Sequence, residues 1–146
     1  MRKKYFLEVF GCQMNKSDAE RLSSILDTLG MERTENENDA QLIAVQACSV
    51  RQSAIDRIFA RIHVWQERQK TNKELLTLLT GCVLPDDKKK FNSTFDILLD
   101  THDLLTWLVL SGIYPHSGWV QQLLHILRCA LYKRTRTIPL THRHTS

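Results

Sequence analysis

The sequence lacks the long apolar stretch that a membrane span would need. None of its apolar segments reaches the roughly 20 residues that cross a bilayer as a helix. The apolar segment after residues 1–4 is interrupted by Glu8 and is too short for the core of a signal peptide. We therefore expect a cytoplasmic protein with no membrane partner.

The four cysteines do not include a Cys-x-x-Cys pair. This absence argues against a thioredoxin-type redox site. In a chain that is not exported, the reducing compartment favours metal-binding or catalytic roles for cysteine over disulfides. The sequence also offers no Ser/His/Asp pattern, no phosphate-binding glycine loop and no pair of acid–base carboxylates. We therefore predict no catalytic residue in this chain.

Acidic residues are absent after Asp103. The net charge of +4 comes from this tail, because the first 103 residues carry 15 Lys and Arg against 16 Asp and Glu. We accordingly divide the chain into a domain, residues 1–100, and a divergent tail, residues 101–146, with apolar helices and a basic, disordered end. Since phosphate contacts dominate RNA affinity, we expect the domain alone to bind RNA weakly or not at all.

Strand and helix patterns alternate through the first hundred residues. Amphipathic stripes at helical spacing, such as Leu22 with Ile25 and Leu26, predict helices between apolar runs. The predicted strands cover about residues 4–10, 41–47, 75–80 and 95–99. This alternation is typical of an α/β fold with right-handed crossovers, and we expect a three-layer parallel sheet of the Rossmann- or flavodoxin-like type.

Three local signals predict where the helices begin. Ser17 and Glu20 fit a capping box, in which the side chains satisfy free backbone donors reciprocally. Ser49 is a candidate cap for the second helix, and Pro85 suits the first turn of the third. The polar stretch over residues 34–39 is interpreted as a loop.

Cys12, Cys48 and Cys82 each close an apolar run, with one β-α unit between successive cysteines. In an open α/β sheet, ligands bind outside the carboxyl ends of the strands, so three thiols at three such ends can meet although they are far apart in sequence. Gly11 and Gly81 precede two of them and permit the close approach of a ligand. The pattern therefore predicts a metal or iron–sulfur site.

The residues alone leave three interpretations of this site open. A cluster held entirely by protein takes four cysteines, so three would leave one iron open to water, a substrate or a sulfur species. A structural zinc would need a fourth ligand, which His63 or His102 could supply. Free cysteine also packs as a small hydrophobe, so the thiols could be buried without a metal. His125 and Cys129 lie four residues apart and are interpreted as a chance pair.

Three segments resemble the N-terminal domain of the tRNA methylthiotransferases, which are radical S-adenosylmethionine enzymes. The segments are Gly11-Cys12-Gln13-Met14-Asn15-Lys16-Ser17-Asp18-Ala19-Glu20, Ala47-Cys48-Ser49-Val50-Arg51 and Gly81-Cys82. The resemblance covers about residues 4–100 and is greatest to the branch that adds a methylthio group to isopentenylated adenosine beside the anticodon. It implies that Cys12, Cys48 and Cys82 hold an auxiliary [4Fe–4S] cluster. The implied surroundings of that cluster are Gly11, Gln13, Asn15, Ser49, Arg51 and Gly81.

The chain departs from the family pattern in two ways. The family commonly has Asn-Thr before the second cysteine, where this chain has Gln46-Ala47. The Cys-x-x-x-Cys-x-x-Cys that holds the radical-generating cluster with S-adenosylmethionine has no counterpart, because only Cys129 follows Cys82, and the C-terminal RNA-binding module is also missing.

We therefore interpret the chain as the cluster-holding N-terminal portion of such an enzyme, truncated before the radical domain. It is expected to be inactive alone, with S-adenosylmethionine and tRNA bound only in the full-length context. The alternative is a non-catalytic interaction module that binds an iron–sulfur cluster or zinc.

Overall fold

The computed structural model describes residues 2–28 and 30–100, in which strands and helices alternate. The elements are β1 (Lys4–Val9), α1 (Gln13–Thr28), β2 (Glu32–Arg33), a 3-10 helix (Glu37–Asp39), β3 (Leu42–Cys48), α2 (Gln52–Thr71), β4 (Leu76–Cys82), α3 (Pro85–Phe91) and β5 (Ile97–Leu98). The predicted α/β class is confirmed. The tail predicted for residues 101–146 lies outside the described residues.

All five strands are parallel, in the order β2-β1-β3-β4-β5. This is the flavodoxin-like order, in which the chain moves from β1 to one neighbour and then crosses to the other side of β1. Right-handed crossovers place α1 on one face of the sheet and α2 with α3 on the other. The two hydrophobic clusters of the core, one under α1 and one under α2, follow from that arrangement.

The central strands are apolar because both faces of the sheet are covered. All seven residues of β3 are buried. Ile43 and Val45 pack in the cluster beneath α2, whereas Leu42 and Ala44 pack in the cluster beneath α1. Because side chains alternate along a strand, Gln46 on β3 lies on the α1 side as well.

Two of the three predicted helix starts are wrong. Helix α1 begins one turn before the capping box, and Ser17 is an exposed residue within the helix. The buried Asn15 organises this earlier start, because its backbone N–H donates to the Cys12 carbonyl (3.1 Å) and its side chain donates to the Phe10 carbonyl (3.5 Å). Helix α2 begins after Arg51 without a side-chain cap. The start of α3 at Pro85 is confirmed.

The predicted loop over residues 34–39 contains the 3-10 helix, which attaches α2 to the rest of the domain. The Glu37 carboxylate accepts hydrogen bonds from Trp65 Nε1 (3.1 Å) and from Arg68 (3.0 Å), and it also pairs with Arg61. In the sequence Glu37 is one of three acidic residues in this polar segment, with Glu35 and Asp39, and nothing there distinguishes it. Among the described residues, no helix is long and apolar enough to cross a membrane.

Candidate metal centre

Cys12 and Cys48 lie at the point where the sheet order changes direction. Strands β1 and β3 are neighbours whose following helices pack on opposite faces, and such a switch point leaves a crevice at the carboxyl ends of the strands. Cys12 directly precedes α1 after the end of β1, and Cys48 is the last residue of β3. The pairing continues past β1, since the Phe10 N–H donates to the Gln46 carbonyl at 2.8 Å.

Gly11 brings the Cys12 segment against β3. A Cβ atom on Gly11 would lie 2.9 Å from the Cβ atom of Cys48 and 2.4 Å from Nδ2 of Asn15. No side chain fits in that space. A glycine is therefore required for Cys12 to follow β1 so close to Cys48.

Cys82 is brought beside Cys48 by strand register. The two cysteines are the last residues of neighbouring parallel strands, and their Cα atoms are register partners. The loops that follow are tied together, because the Ser49 N–H donates to the Cys82 carbonyl (2.9 Å) and the Leu84 N–H donates to Ser49 Oγ (3.0 Å). The prediction that Ser49 caps α2 is thus wrong, and its hydroxyl instead joins two loops of the site.

Gly81 allows β4 to approach β3 just before Cys82. Its φ angle is +112°, a conformation that residues with a side chain rarely adopt, and an added Cβ would lie 2.2 Å from the Ala47 carbonyl oxygen. Gly81 was predicted to permit the close approach of a ligand. In the structure it permits the close approach of strands β3 and β4.

The three thiols differ in exposure and influence one another electrostatically. Cys48 is buried, Cys12 is half-buried and Cys82 is exposed, and none forms a disulfide. The backbone N–H groups of Asn15 and Met14 lower the pKa of the Cys12 thiol, with a smaller contribution from the Cys48 side chain. Partial desolvation by the surrounding chain raises the pKa of the Cys82 thiol, and the nearby Cys48 raises it further. A bound cation would relieve this repulsion of the Cys82 thiolate.

The other predicted surroundings have unequal roles. Asn15 is buried, and its Oδ1 lies 3.9 Å from the Cys12 thiol that donates to it. Gln13 is the exposed first residue of α1, and Arg51 is exposed and donates its backbone N–H to the Cys48 carbonyl at 3.3 Å.

The two histidines considered as a fourth ligand are not brought to this edge. His63 is exposed on α2, eleven residues after its first residue, which is about 16 Å along the helix axis. His102 lies outside the described residues. Within residues 2–28 and 30–100, no three Cys, His, Asp or Glu side chains are grouped so that they could hold one metal ion. A four-iron cluster is a larger body, and its ligand sulfurs bind different irons.

Two buried polar side chains lie near the cysteines, of which the sequence indicated only Gln46, as a departure from the family pattern, and not Thr80. Gln46 and Thr80 are each 1% exposed, and they are register partners two residues before Cys48 and Cys82. Gln46 Nε2 and Thr80 Oγ1 have no hydrogen-bond partner. The available signal was a polar residue within each of two apolar runs.

Three exposed apolar side chains lie just after the candidate ligands in the chain. Met14, Val50 and Leu84 each follow a candidate ligand by two residues, in the connection after β1, β3 or β4. Apolar surroundings limit the access of water to a metal centre and thereby influence its chemistry.

Comparisons with known proteins agree with the resemblance in the motifs. The model of a family described as "Uncharacterized protein family UPF0004" matches residues 4–100. Three similar curated proteins are each called tRNA-2-methylthio-N(6)-dimethylallyladenosine synthase. The protein from Clostridium beijerinckii is 32% identical over 107 residues, which are 70% of this chain and 24% of the relative. The protein from Clostridium perfringens is 35% identical over 109 residues, with the same coverage. The protein from Dictyoglomus thermophilum is 35% identical over 92 residues, 63% of this chain and 21% of the relative.

The chain thus spans about a quarter of the length of these relatives. The predicted resemblance is confirmed, because the family match covers every motif from Gly11 to Cys82. From its sequence motifs, its parallel sheet and these matches, the chain belongs to the family UPF0004, the N-terminal domain of the tRNA methylthiotransferases.

Proposed function

We propose that this domain holds an auxiliary [4Fe–4S] cluster through Cys12, Cys48 and Cys82, as the N-terminal part of a cytoplasmic enzyme that methylthiolates isopentenylated adenosine in tRNA. The observation that carries the proposal is the meeting of three strand ends at one crevice. Cys48 and Cys82 are register partners, and the Gly11 backbone lies directly against Cys48.

The residues at this edge fit such a cluster. Thiolates are the ligands that iron–sulfur clusters take in proteins, and three of them leave one iron open. Gln46 and Thr80, two residues before Cys48 and Cys82, have buried polar atoms without a partner among the described residues, as a site that receives a further group would. Gly11 and Gly81 leave room that a side chain would fill.

When bound, the cluster would supply an open iron at which sulfur is presented to the substrate. The chain's own contribution is to hold the three ligands and to shield the site. The first turn of α1 holds Cys12 through Asn15, and Ser49 joins the connections that follow Cys48 and Cys82. The apolar side chains of Met14, Val50 and Leu84, which follow the ligands, would limit water around a bound cluster.

Metal and sulfide analysis tests the proposal. The full chain is purified without oxygen, or reconstituted with iron and sulfide, and its iron, zinc, sulfide and visible absorption are measured. We expect a brown protein with close to equal amounts of iron and sulfide. A colourless protein with stoichiometric zinc would favour a structural interaction module instead, and a protein that binds neither metal would overturn the proposal.

We also expect this chain alone to form no methylthiolated nucleoside. The sequence given has no Cys-x-x-x-Cys-x-x-Cys to hold the cluster that binds S-adenosylmethionine. Positioning of the reactants, which supplies a large share of an enzyme's rate, would also be missing.

The measurement is mass spectrometry of digested nucleosides after the reconstituted chain has been incubated with reductant, S-adenosylmethionine and isopentenylated tRNA. A parallel reaction with a full-length relative is the positive control. Any methylthio product above a reaction without protein, or 5′-deoxyadenosine formed by this chain alone, would contradict the expectation.

A further inference from the structure

We propose that the Gln46 amide and the Thr80 hydroxyl donate hydrogen bonds to sulfur atoms of the bound cluster and thereby raise its reduction potential. The inference rests on the proposed function, because it needs a cluster held by Cys48 and Cys82. Both residues would act through the cluster and are positioning residues rather than catalytic ones.

The first observation is that both buried side chains lack hydrogen-bond partners. Both side chains are 1% exposed, so water does not satisfy them, and Gln46 Nε2 and Thr80 Oγ1 make no hydrogen bond within the described chain. Buried polar groups are nearly always hydrogen-bonded, and leaving one unpaired destabilises the fold. Two such donors on neighbouring strands therefore indicate a partner that the described residues do not provide.

The second observation is their location. Gln46 and Thr80 are register partners on β3 and β4, and each precedes a candidate ligand on its own strand by two residues, about 7 Å along the strand. The Gln46 side chain reaches toward the strand ends, since its Nε2 lies 3.1 Å from where a Cβ of Gly81 would be. The amide is thus beside the residue that precedes Cys82.

The chemistry of the two groups suits hydrogen bonds to cluster sulfur. An amide N–H and a hydroxyl do not ionise in the accessible pH range, so both remain donors whatever the charge of the cluster. The nearby Asn15 amide is already engaged with the Phe10 carbonyl. Hydrogen bonds to cluster sulfurs tune the reduction potential, and donors favour the reduced state because it carries more negative charge.

Redox titration of the reconstituted full chain tests the inference. The Thr80→Val and Gln46→Met variants should retain the cluster. In each variant the equilibrium constant for reduction of the cluster should fall about tenfold, which corresponds to a reduction potential about 59 mV lower for one electron. Thr80→Ser keeps the hydroxyl and should keep the potential. The matched control is Thr77→Val on the same strand, where the hydroxyl faces the other side and is bonded to Asp96 (3.0 Å), and no shift is expected.

The cluster-free chain gives an independent readout. Thr80→Val removes an unpartnered buried hydroxyl, so its Tm should equal or exceed that of the unaltered chain, whereas Thr77→Val breaks a hydrogen bond and should lower Tm.

Two results would overturn the inference alone: a retained cluster with unchanged potential in both Thr80→Val and Gln46→Met, or a Tm loss in Thr80→Val as large as in Thr77→Val. Failure of the unaltered chain to take up a cluster would overturn the proposed function together with it.

Discussion

Replacing Cys48 with alanine is expected to abolish cluster binding, and Cys12→Ala and Cys82→Ala are expected to do the same. With three protein ligands and one iron already open, the site has no spare thiolate to take over. Iron and sulfide per chain, measured after identical reconstitution and desalting, give the comparison. The visible absorption should disappear with the metal.

Loss of iron in these variants must be separated from loss of fold. Cys82 is exposed and Cys12 half-buried, so their replacement should leave the urea midpoint of the cluster-free chain nearly unchanged. Cys48 is buried, and its truncation should cost about 1 kcal/mol. Cys129→Ala is the matched control and should keep its iron. A Cys129 variant that lost iron while a Cys48 variant kept it would refute the ligand assignment.

Gly81→Ala should destabilise the domain by about 3 kcal/mol, from about 1–2 kcal/mol for the backbone conformation and a similar amount for the clash. The Cβ would meet the Ala47 carbonyl oxygen at 2.2 Å, and that oxygen belongs to the central strand β3, which is held on both sides. The clash can therefore be relieved only if β3 and β4 move apart. Urea unfolding of the cluster-free chain measures the loss.

Gly30→Ala is the control for this variant. Gly30 also has a positive φ angle, +84°, but nothing lies within 4 Å of its added Cβ. Gly30→Ala should lower the free energy of unfolding by about 1 kcal/mol, from backbone conformation alone. Equal destabilisation by the two substitutions would show that the contact with the Ala47 carbonyl does not contribute to the loss of stability.

Gly81→Ala should also lower the amount of iron that the chain takes up on reconstitution, because Cys82 is the next residue.

The main strands could be predicted because a parallel sheet is buried on both faces and its strands are apolar throughout. The edge strand β2 could not, since Glu32 and Arg33 are both exposed and carry no apolar signal. Ser17 misled the prediction of α1 because Asn15, buried in the first turn, organises an earlier start at Gln13, and a buried amide cannot be told from an exposed one in sequence. Capping depends on backbone geometry that tertiary contacts decide.

The candidate site could likewise be predicted only in part from the sequence. That Cys12, Cys48 and Cys82 follow strands was readable from the chain, because each ends an apolar run. That Cys48 and Cys82 are register partners was not, because register depends on how β3 and β4 align across α2. Gln46 and Thr80 gained significance only once their burial and lack of partners were known.

The shortness of the outer strands bears on self-association. The described sheet ends in β2 on one side and β5 on the other, each only two residues long. A sheet aggregates when a long outer strand offers a row of free backbone groups to another molecule, and short or charged outer strands deny that template. Copies of this domain at high concentration should accordingly resist edge-to-edge β-pairing. The most exposed large apolar side chains of the described residues are Met14, Val50 and Leu84, which follow the ends of the strands rather than lie along an outer strand.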